Sequence, residues 1–397
     1  MNRAYLDHAS ATPVRKQVID AMLPYFDQHF GNPSTVYDMG SKVKIVIEEQ
    51  RAKVADLIGA KAEDIIFTSS GAEANNLAIK GVAFGRQKKG KHIIVSAVEH
   101  HSVLNSARFL ERFDFEVTFL QVDQFGMIDP ERLRSAIIPE TILVSIGHAS
   151  NEIGTIQRTA ELASICREKG VAFHTDAVAS VGNLKVDVNE LNVDLLSLSG
   201  APLGAPKGIG ALYFRKNIRL MPLIHGGIQE NGRRAGTENV PGIVGLGAAA
   251  EFAREELPEK TERVRTLRDL LIAGIGARID KIKLTGHPEQ RLPGHASFCF
   301  EAIEGESLIF LLTQAGIYAN TGSACASKAL KTSPVLVAIG IPPDLAQGSV
   351  VFTIDKSNNP EEIEYVLEKL PTAVDRLRMM SPLWGKETPA YAEAVCT

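Results

Sequence analysis

The sequence has few cysteines, little surplus charge and no long apolar run. Its 4 cysteines in 397 residues form no Cys-x-x-Cys pair, which argues against a disulfide framework and a self-contained zinc site and suits a reducing cytoplasm. A formal net charge of −4 argues against a nucleic-acid-binding surface. No segment approaches the ~18 consecutive apolar residues of a membrane span, and the N-terminal residues lack the apolar core of an export signal. We therefore expect a cytoplasmic protein with neither nucleic acid nor membrane as a partner.

The rest of the composition is that of an ordinary globular protein, with 45% hydrophobic and 23% charged residues. Apolar runs rich in β-branched residues alternate with helical patterns through the first two thirds of the chain. The predicted strands are 65–68, 92–96, 115–122, 141–146, 171–174 and 195–198. Such alternation predicts a mostly parallel sheet with helices on both faces, where ligands bind at the carboxyl ends of the strands.

A second region begins after residues 257–260 (LPEK), which we interpret as a domain boundary. A long charged helix is predicted over about 261–275, and its charges are most simply interpreted as a solvated face. Strands at 296–300 and 350–354 and helices at 306–314 and 360–378 follow. This mixture predicts a smaller α+β domain.

A series of short motifs follows in a fixed order along the chain. They are 5–13 (YLDHASATP), 31–34 (GNPS), 99–101 (EHH), 151–154 (NEIG), 174–177 (HTDA), 234–237 (RAGT) and 321–325 (TGSAC). Together they resemble the NifS/IscS-type cysteine desulfurases, of the class V aminotransferase group, over nearly the whole chain to Trp384. The resemblance implies PLP-transferase fold type I. The mostly parallel α/β large domain would span 15–257, and the α+β small domain would comprise 1–14 and 258–397, with the Cys325 loop.

The resemblance also implies a pocket for pyridoxal phosphate (PLP). In that family the residue matching His100 stacks on the pyridine ring, the one matching Asn151 contacts the phenolic oxygen, and the one matching Asp176 pairs with the ring nitrogen. Ser199 begins the segment that carries the Schiff-base lysine. Thr237 matches a residue that reaches the phosphate of the partner subunit, so a homodimer is expected.

Cys325 matches the thiol that accepts sulfur in the family. A thiolate in a flexible loop can attack a substrate sulfur and become a persulfide. A role as ligand of an iron–sulfur cluster shared with a partner is the other functional interpretation of Cys325. Cys166 and Cys299 are predicted core residues, and Cys396 lies in the polar tail.

The sequence departs from the family where the cofactor would be held. Residues 199–208 read SGAPLGAPKG, so Pro202 replaces the lysine, and a prolyl nitrogen cannot form an aldimine. An isopropyl group at Val351 replaces the arginine that clamps the substrate carboxylate. The other changed positions are Ala72 (a threonine in the family), Ala179 (a glutamine), Ala201 (a histidine) and, with a less direct match, Tyr37 (a histidine).

These losses predict a desulfurase-like protein that no longer performs PLP-dependent desulfuration of L-cysteine. It would act in sulfur transfer or iron–sulfur cluster assembly through Cys325, by docking a scaffold or sulfur-acceptor protein. Two alternatives stay open. One is an active PLP-dependent desulfurase that uses another amine or noncovalent PLP; Lys207 is better explained as structural, because active members carry the same lysine. The other is a non-catalytic interaction protein in which side chains fill the old pocket. For His100 and Asp176 themselves, the alternative to cofactor contact is retention for packing and hydrogen bonding.

Overall fold

A seven-stranded sheet forms the centre of the larger part of the molecule. The computed structural model describes residues 3–322 and 332–385. Its strands are β1 Ala4–Tyr5, β2 Ile65–Thr68, β3 His92–Ser96, β4 Glu116–Leu120, β5 Thr141–Ser145, β6 Ala172–Asp176, β7 Leu195–Ser199, β8 Gly210–Phe214, β9 Ile282–Leu284, β10 His295–Phe300, β11 Ile317–Tyr318 and β12 Ser349–Thr353.

The helices lie between these strands. They are α1 Lys16–Met22, α2 Pro24–Asp27, α3 Asp38–Leu57, α4 Gly71–Arg86, α5 His101–Glu111, α6 Pro130–Ala136, α7 Thr159–Glu168, α8 Gln229–Gly232, α9 Val240–Arg278, α10 Gly305–Gln314, α11 Pro334–Ala338, α12 Pro343–Ala346 and α13 Pro360–Met380. Short 3₁₀ turns occupy Ala62–Asp64 and Ala201–Leu203. No helix in the described part of the chain is long and apolar enough to cross a membrane.

The central sheet has the strand order β2-β8-β7-β6-β5-β3-β4. All neighbouring pairs are parallel except those of β8, which runs antiparallel to both β2 and β7. Strands β2, β3, β5 and β6 are buried at every residue, as expected for a sheet covered on both faces. The predicted mostly parallel α/β fold is therefore confirmed, and β8 is an addition to it.

The smaller sheets lie in the second hydrophobic region. Strands β12, β10 and β9 form an antiparallel sheet, and β1 pairs in parallel with β11. Ala4 and Leu6 pack there with apolar residues from α9, α10 and α13. The N-terminal strand thus contributes to the same core as the C-terminal third of the chain.

Helix α9 differs from the helix expected at the domain boundary. It is one element of 39 residues with Pro258 inside it, whereas the sequence predicted a boundary at 257–260 and a helix from 261. The helix continues because it packs on both sides of the proline: residues up to Ala253 belong to the core of the large sheet, and residues from Val264 belong to the second core. The division into 15–257 and 1–14 with 258–397 stays a prediction.

Candidate functional site

A cavity of about 290 Å³ lies at the carboxyl ends of β2, β3, β5, β6 and β7. Segments that follow these strands supply one side of it, and the other side comes from the N-terminal segment, α9 and the residues around β10 and β12. The polar residues that line it are His8, Thr12, Ser70, Asn75, Glu99, His100, Ser102, Ser150, Asn151, Gln157, Asp176, Asn183, Ser199, Lys260, His295, Thr353 and Asp355. Strand ends are where the sequence predicted a ligand site.

The Asp176 carboxylate ends β6 and is held by two donors. The Asn75 side-chain nitrogen donates to one oxygen at 2.6 Å, and the Val178 N–H donates to the other at 2.9 Å. Asn75 also donates to the Ser102 hydroxyl at 2.8 Å. Burial raises the pKa of Asp176 above its usual value, although these hydrogen bonds oppose the shift. The buried carboxylate thus has the donors that its desolvation requires.

His100 is the N-cap residue of α5. Its Nδ1 accepts a hydrogen bond from the Ser102 N–H at 3.1 Å and lies 2.7 Å from the Ser102 hydroxyl. Because Asn75 donates to both Ser102 and Asp176, the His100 imidazole is linked to the Asp176 carboxylate through the Ser102 hydroxyl and the Asn75 amide. This linkage fixes the imidazole relative to the carboxylate on one wall of the cavity.

Glu99 is a buried carboxyl next to this network, and the sequence analysis gave it no role. One of its oxygens accepts from the Gly147 N–H at 2.7 Å. Burial raises the pKa of Glu99 to about 8, and the charge of Asp176 adds to the shift. Glu99 therefore keeps its proton at pH 7. The signal was present in the motif at 99–101, but the motif does not reveal that the side chain is enclosed.

The opposite wall carries an ion pair that the sequence did not predict. Lys260 Nζ lies 2.8 Å from Asp355 Oδ1 and donates to the Gly182 carbonyl at 3.1 Å. The two side chains are only 11% and 15% exposed. Burial would raise the pKa of Asp355, but the Lys260 ammonium outweighs it and holds that pKa below its usual value. In the sequence, Lys260 stands in the predicted boundary segment 257–260, and the sequence predicts no contact for it.

His8 belongs to the same wall. Burial lowers the pKa of the His8 imidazole, although the nearby Asp355 charge opposes the shift. The wall thus brings together side chains from the N-terminal segment, helix α9 and the turn after β12. Their wide separation along the sequence is why no local motif pointed to them.

The predicted site residues fall into two groups. The cavity lining includes His100, Asn151, Asp176 and Ser199, and also the changed positions Ala72, Ala179 and Pro202. The lining found in the described part of the chain does not include Thr237, which is exposed, nor Ala201, Val351 and Tyr37.

Two of the residues outside the lining lie close to it. Ala201 begins the 3₁₀ turn that contains Pro202. Val351 lies within β12 opposite Ser297, is 5% exposed and bonds through its N–H to the Asn320 carbonyl. Of the six changed positions, three thus lie on the cavity wall and two beside it, whereas the sixth, Tyr37, is exposed.

The cysteines divide between the core and the undescribed segments. Cys166 and Cys299 are completely buried, as predicted, and burial raises the pKa of the Cys299 thiol to about 12 and that of Cys166 even further. Cys325 and Cys396 lie outside the described residues. Within 3–322 and 332–385, no group of three or more His, Cys, Asp or Glu side chains is placed to hold a metal ion.

Comparison with known proteins identifies the family. The family model "Aminotransferase class-V" matches residues 4–366. The chain belongs to this family. Its fold agrees, since the chain superimposes on a solved structure described as "NIFS-LIKE PROTEIN" with a TM-score of 0.88 and 35% identity, covering 94% of this chain and 100% of the other.

Two class-V relatives are similar over almost their full lengths. "Cysteine desulfurase IscS" of Methanosarcina thermophila is 52% identical over 383 residues, which cover 96% of this chain and 95% of the relative. "Cysteine desulfurase IscS" of Dictyoglomus turgidum is 50% identical over 378 residues, which cover 95% and 96%. The resemblance to NifS/IscS-type proteins noted from the motifs is thereby confirmed.

Proposed function

We propose that this class-V protein is desulfurase-like but does not perform PLP-dependent desulfuration of L-cysteine. It acts in sulfur transfer or iron–sulfur cluster assembly, with Cys325 as the residue that carries sulfur or ligates a cluster. The observation that carries the first part is the position of Pro202 on the cavity wall, because a proline offers no amine at the place of the family's Schiff-base lysine.

The cavity lining suits the ring of PLP but not its covalent attachment to the protein. The Asp176 carboxylate and the His100 imidazole on one wall suit a protonated pyridine ring, which serves as an electron sink when PLP is bound. Ser70, Gly71 and Ala72 at the N-terminus of α4 also line the cavity, and the free N–H groups of a helix N-terminus favour an anion such as phosphate. Pro202 cannot make the covalent link, and no guanidinium is present at Val351 to bind a substrate carboxylate. The donor set therefore supports binding of a ring but not the family's reaction.

We also propose that the protein is a cytoplasmic homodimer. Thr237 is exposed on its own chain rather than part of the cavity lining, as a residue offered to a partner would be. Large apolar side chains are exposed within residues 23–45 and 221–228, and exposed apolar surface marks interaction sites when it is contiguous. They are Leu23, Phe26, Phe30, Val36, Ile45, Met221, Ile224 and Ile228.

The test separates the two parts of the proposal. Purified protein is incubated with PLP and L-cysteine, and alanine and sulfide are measured; we expect neither product above the rate of a protein-free control. Alanine formed at rates like those of family members would overturn the proposed loss of desulfuration.

Sulfur carriage is tested with an inorganic polysulfide as donor. The thiolate at position 325 attacks a terminal sulfur, a cysteine persulfide forms, and a polysulfide one sulfur shorter leaves, so no oxidant is needed. Mass spectrometry should find the persulfide on Cys325, and Cys325→Ser should abolish it. Cys396→Ser is the matched control. Equal loading of wild type and Cys325→Ser would favour the interaction-protein alternative.

A further inference from the structure

Two charged side chains of α9 lie where the helix passes from one hydrophobic core to the other. Glu256 stands between Ala253, which belongs to the core of the large sheet, and Val264, which belongs to the second core. Lys260 follows one turn further along the helix. Between the two charged residues is Pro258, whose nitrogen cannot donate the helical hydrogen bond of that turn. The helix therefore lacks one of its own bonds at the place where these side chains make theirs.

Glu256 shares one carboxylate oxygen between two cations. Its Oε2 lies 2.7 Å from Arg15 Nη1 and 2.5 Å from Lys356 Nζ. Arg15 is fixed on the side of the large sheet, because its N–H donates to the Gly204 carbonyl at 3.2 Å. Lys356 follows β12, whose apolar residues belong to the second core. Burial would raise the pKa of Glu256, but the hydrogen bonds from Lys356 and Arg15 outweigh it and lower that pKa.

Lys260 makes the same kind of connection one helical turn away. Its Nζ donates to the Gly182 carbonyl at 3.1 Å and lies 2.8 Å from Asp355 Oδ1. Gly182 directly follows a residue of the large-sheet core, whereas Asp355 directly follows a residue of the second core. Because Asp355 and Lys356 are consecutive, a single turn after β12 is held by two side chains of α9.

The cavity lies between the two parts of the molecule that these contacts join. His8, Thr353 and Asp355 line it from the side of the second core, and the segments that follow the strands of the large sheet line it from the other side. The position of one core relative to the other therefore sets the width of the cavity. The side chains of Glu256 and Lys356 are 34% and 37% exposed, so salt should weaken this contact more than the enclosed contact of Asp355.

We propose that Glu256 and Lys260, with their partners Arg15, Lys356 and Asp355, form an ionic clasp that sets how large a molecule can enter the cavity. The clasp holds the two cores together across the cavity at the turn of α9 that the proline weakens. Loss of the Glu256 contacts lets the cores move apart, while the continuous helix keeps them in one folded protein. The inference goes beyond the proposed function, because it concerns access to the cavity and does not depend on sulfur carriage.

The test measures how fast a thiol inside the cavity reacts with reagents of two sizes. Ala179→Cys places the thiol on the lining, in a full-length parent chain that also carries Cys325→Ser and Cys396→Ser; the two remaining cysteines are completely buried. We expect Glu256→Gln to raise the rate of reaction with a maleimide on a polyethylene glycol chain severalfold, and the rate with iodoacetamide much less. High salt should act on the parent chain in the same direction.

Glu251→Gln is the matched control for Glu256→Gln. Glu251 lies on the same helix, is exposed to a similar degree and pairs with Lys53 at 2.8 Å, but this pair joins α9 to α3 within the large-sheet core. Its loss should change neither rate. An equal rise in Glu251→Gln and Glu256→Gln would overturn the proposal, as would rates in Glu256→Gln that equal those of the parent chain.

Lys356→Gln tests the clasp from the side of the second core. This variant should reproduce the selective rise with the large reagent, and adding Glu256→Gln to it should raise the rate no further, because both substitutions break the same contact. A Lys356→Gln protein that reacts like the parent chain, or two effects that simply add, would contradict the clasp even where one of the single variants fails to fold.

Discussion

Two parts of the cavity lining, both at the carboxyl ends of the strands, differ in the side chains that they carry. The wall at the ends of β3, β5 and β6 is polar and fully connected: Asn75 joins Asp176 to Ser102, and Glu99 is bound to the backbone of Gly147. The wall around β2 and β7 carries Ala72 and Pro202, which supply no side-chain hydrogen bond. The cavity lining thus combines a hydrogen-bonded polar part with a part in which the side chains at positions 72 and 202 offer neither a hydroxyl nor an amine.

This difference separates polar residues that the fold itself requires from residues that only a reaction would require. A buried carboxylate such as Asp176 needs its donors in every folded molecule, so removing Asn75 would leave it unsatisfied at a cost of about 1–3 kcal/mol. Pro202, by contrast, satisfies no buried polar group through its side chain. The fold therefore constrains Asn75 directly and places no such requirement on the side chain at position 202.

The largest expected effect comes from returning an amine to the changed wall. Pro202→Lys should give a PLP adduct at position 202 after cyanoborohydride reduction, whereas the wild-type chain can give none at that position. The physical reason is that the side chain at this position lines the cavity beside the intact ring-binding wall. The measurement is peptide mapping by mass spectrometry.

Ala201→Lys, made in a chain that is otherwise wild type, is the control for Pro202→Lys. Ala201 is the neighbouring residue in the 3₁₀ turn but is not part of the described cavity lining, so a lysine there should label no more than surface lysines do. Equal labelling at 201 and 202 would contradict the view that only the side chain at position 202 faces the cavity.

A smaller effect is expected in the pH dependence of the free energy of unfolding, because of the buried Glu99 carboxyl. Glu99 has a folded-state pKa of about 8 against 4.5 for the free group. The folded protein therefore binds more protons than the unfolded chain between these values, and stability falls as pH rises through this window, by at most about 1.4 kcal/mol per pH unit. Urea unfolding at pH 6.5 to 8 should show the decline, and Glu99→Gln should flatten it.

The pH range from 6.5 to 8 separates Glu99 from a buried group that changes protonation at lower pH, and a second variant accounts for the group that overlaps with it. Burial lowers the pKa of His148 to about 4, so its contribution is lost only as pH falls below its unfolded value of about 6.5. Glu152, with a pKa of about 7, acts in part of the same window, and Glu152→Gln provides the comparison. An unchanged slope in Glu99→Gln would mean that Glu99 is not enclosed as described.

The smallest expected effect is on stability and concerns the first turn of α4, where Ser70 and Ala72 both line the cavity. The Ser70 hydroxyl caps α4 by accepting from the Glu73 N–H at 3.1 Å, so Ser70→Ala should destabilise the protein by about 1 kcal/mol. Ala72→Thr restores the family's hydroxyl in the same turn and should cost no more than about 0.7 kcal/mol, the span of ordinary helix propensities. Thermal unfolding of both variants checks the order; a larger loss in Ala72→Thr would contradict it.

The sheet could be predicted from the sequence because its strands are continuous buried runs. Strand β3 matches the predicted 92–96, and β2, β5 and β7 agree to within one residue. Strand β8 was missed, since Gly210 and Ala211 have low strand propensity and its place depends on antiparallel pairing with β2 and β7.

The candidate site was predictable only where local motifs carried it. His100, Asn151, Asp176 and Ser199 were found through the motifs and line the cavity. Lys260 was not, because it stands in a segment (257–260) that the sequence marks as a boundary, and only the fold brings Asp355 and Gly182 to it. Such a contact between distant segments is a property of the tertiary packing and leaves no local trace in the sequence.

Helix α9 has a consequence for how this chain can be divided. At 1.5 Å per residue its 39 residues extend roughly 58 Å, and they belong first to one hydrophobic core and then to the other. A cut at Pro258, the place where composition suggests a linker, would expose apolar surface on both fragments. Domain exchange with a relative should therefore place its crossover outside this helix, so that the contacts of α9 with both cores come from one parent.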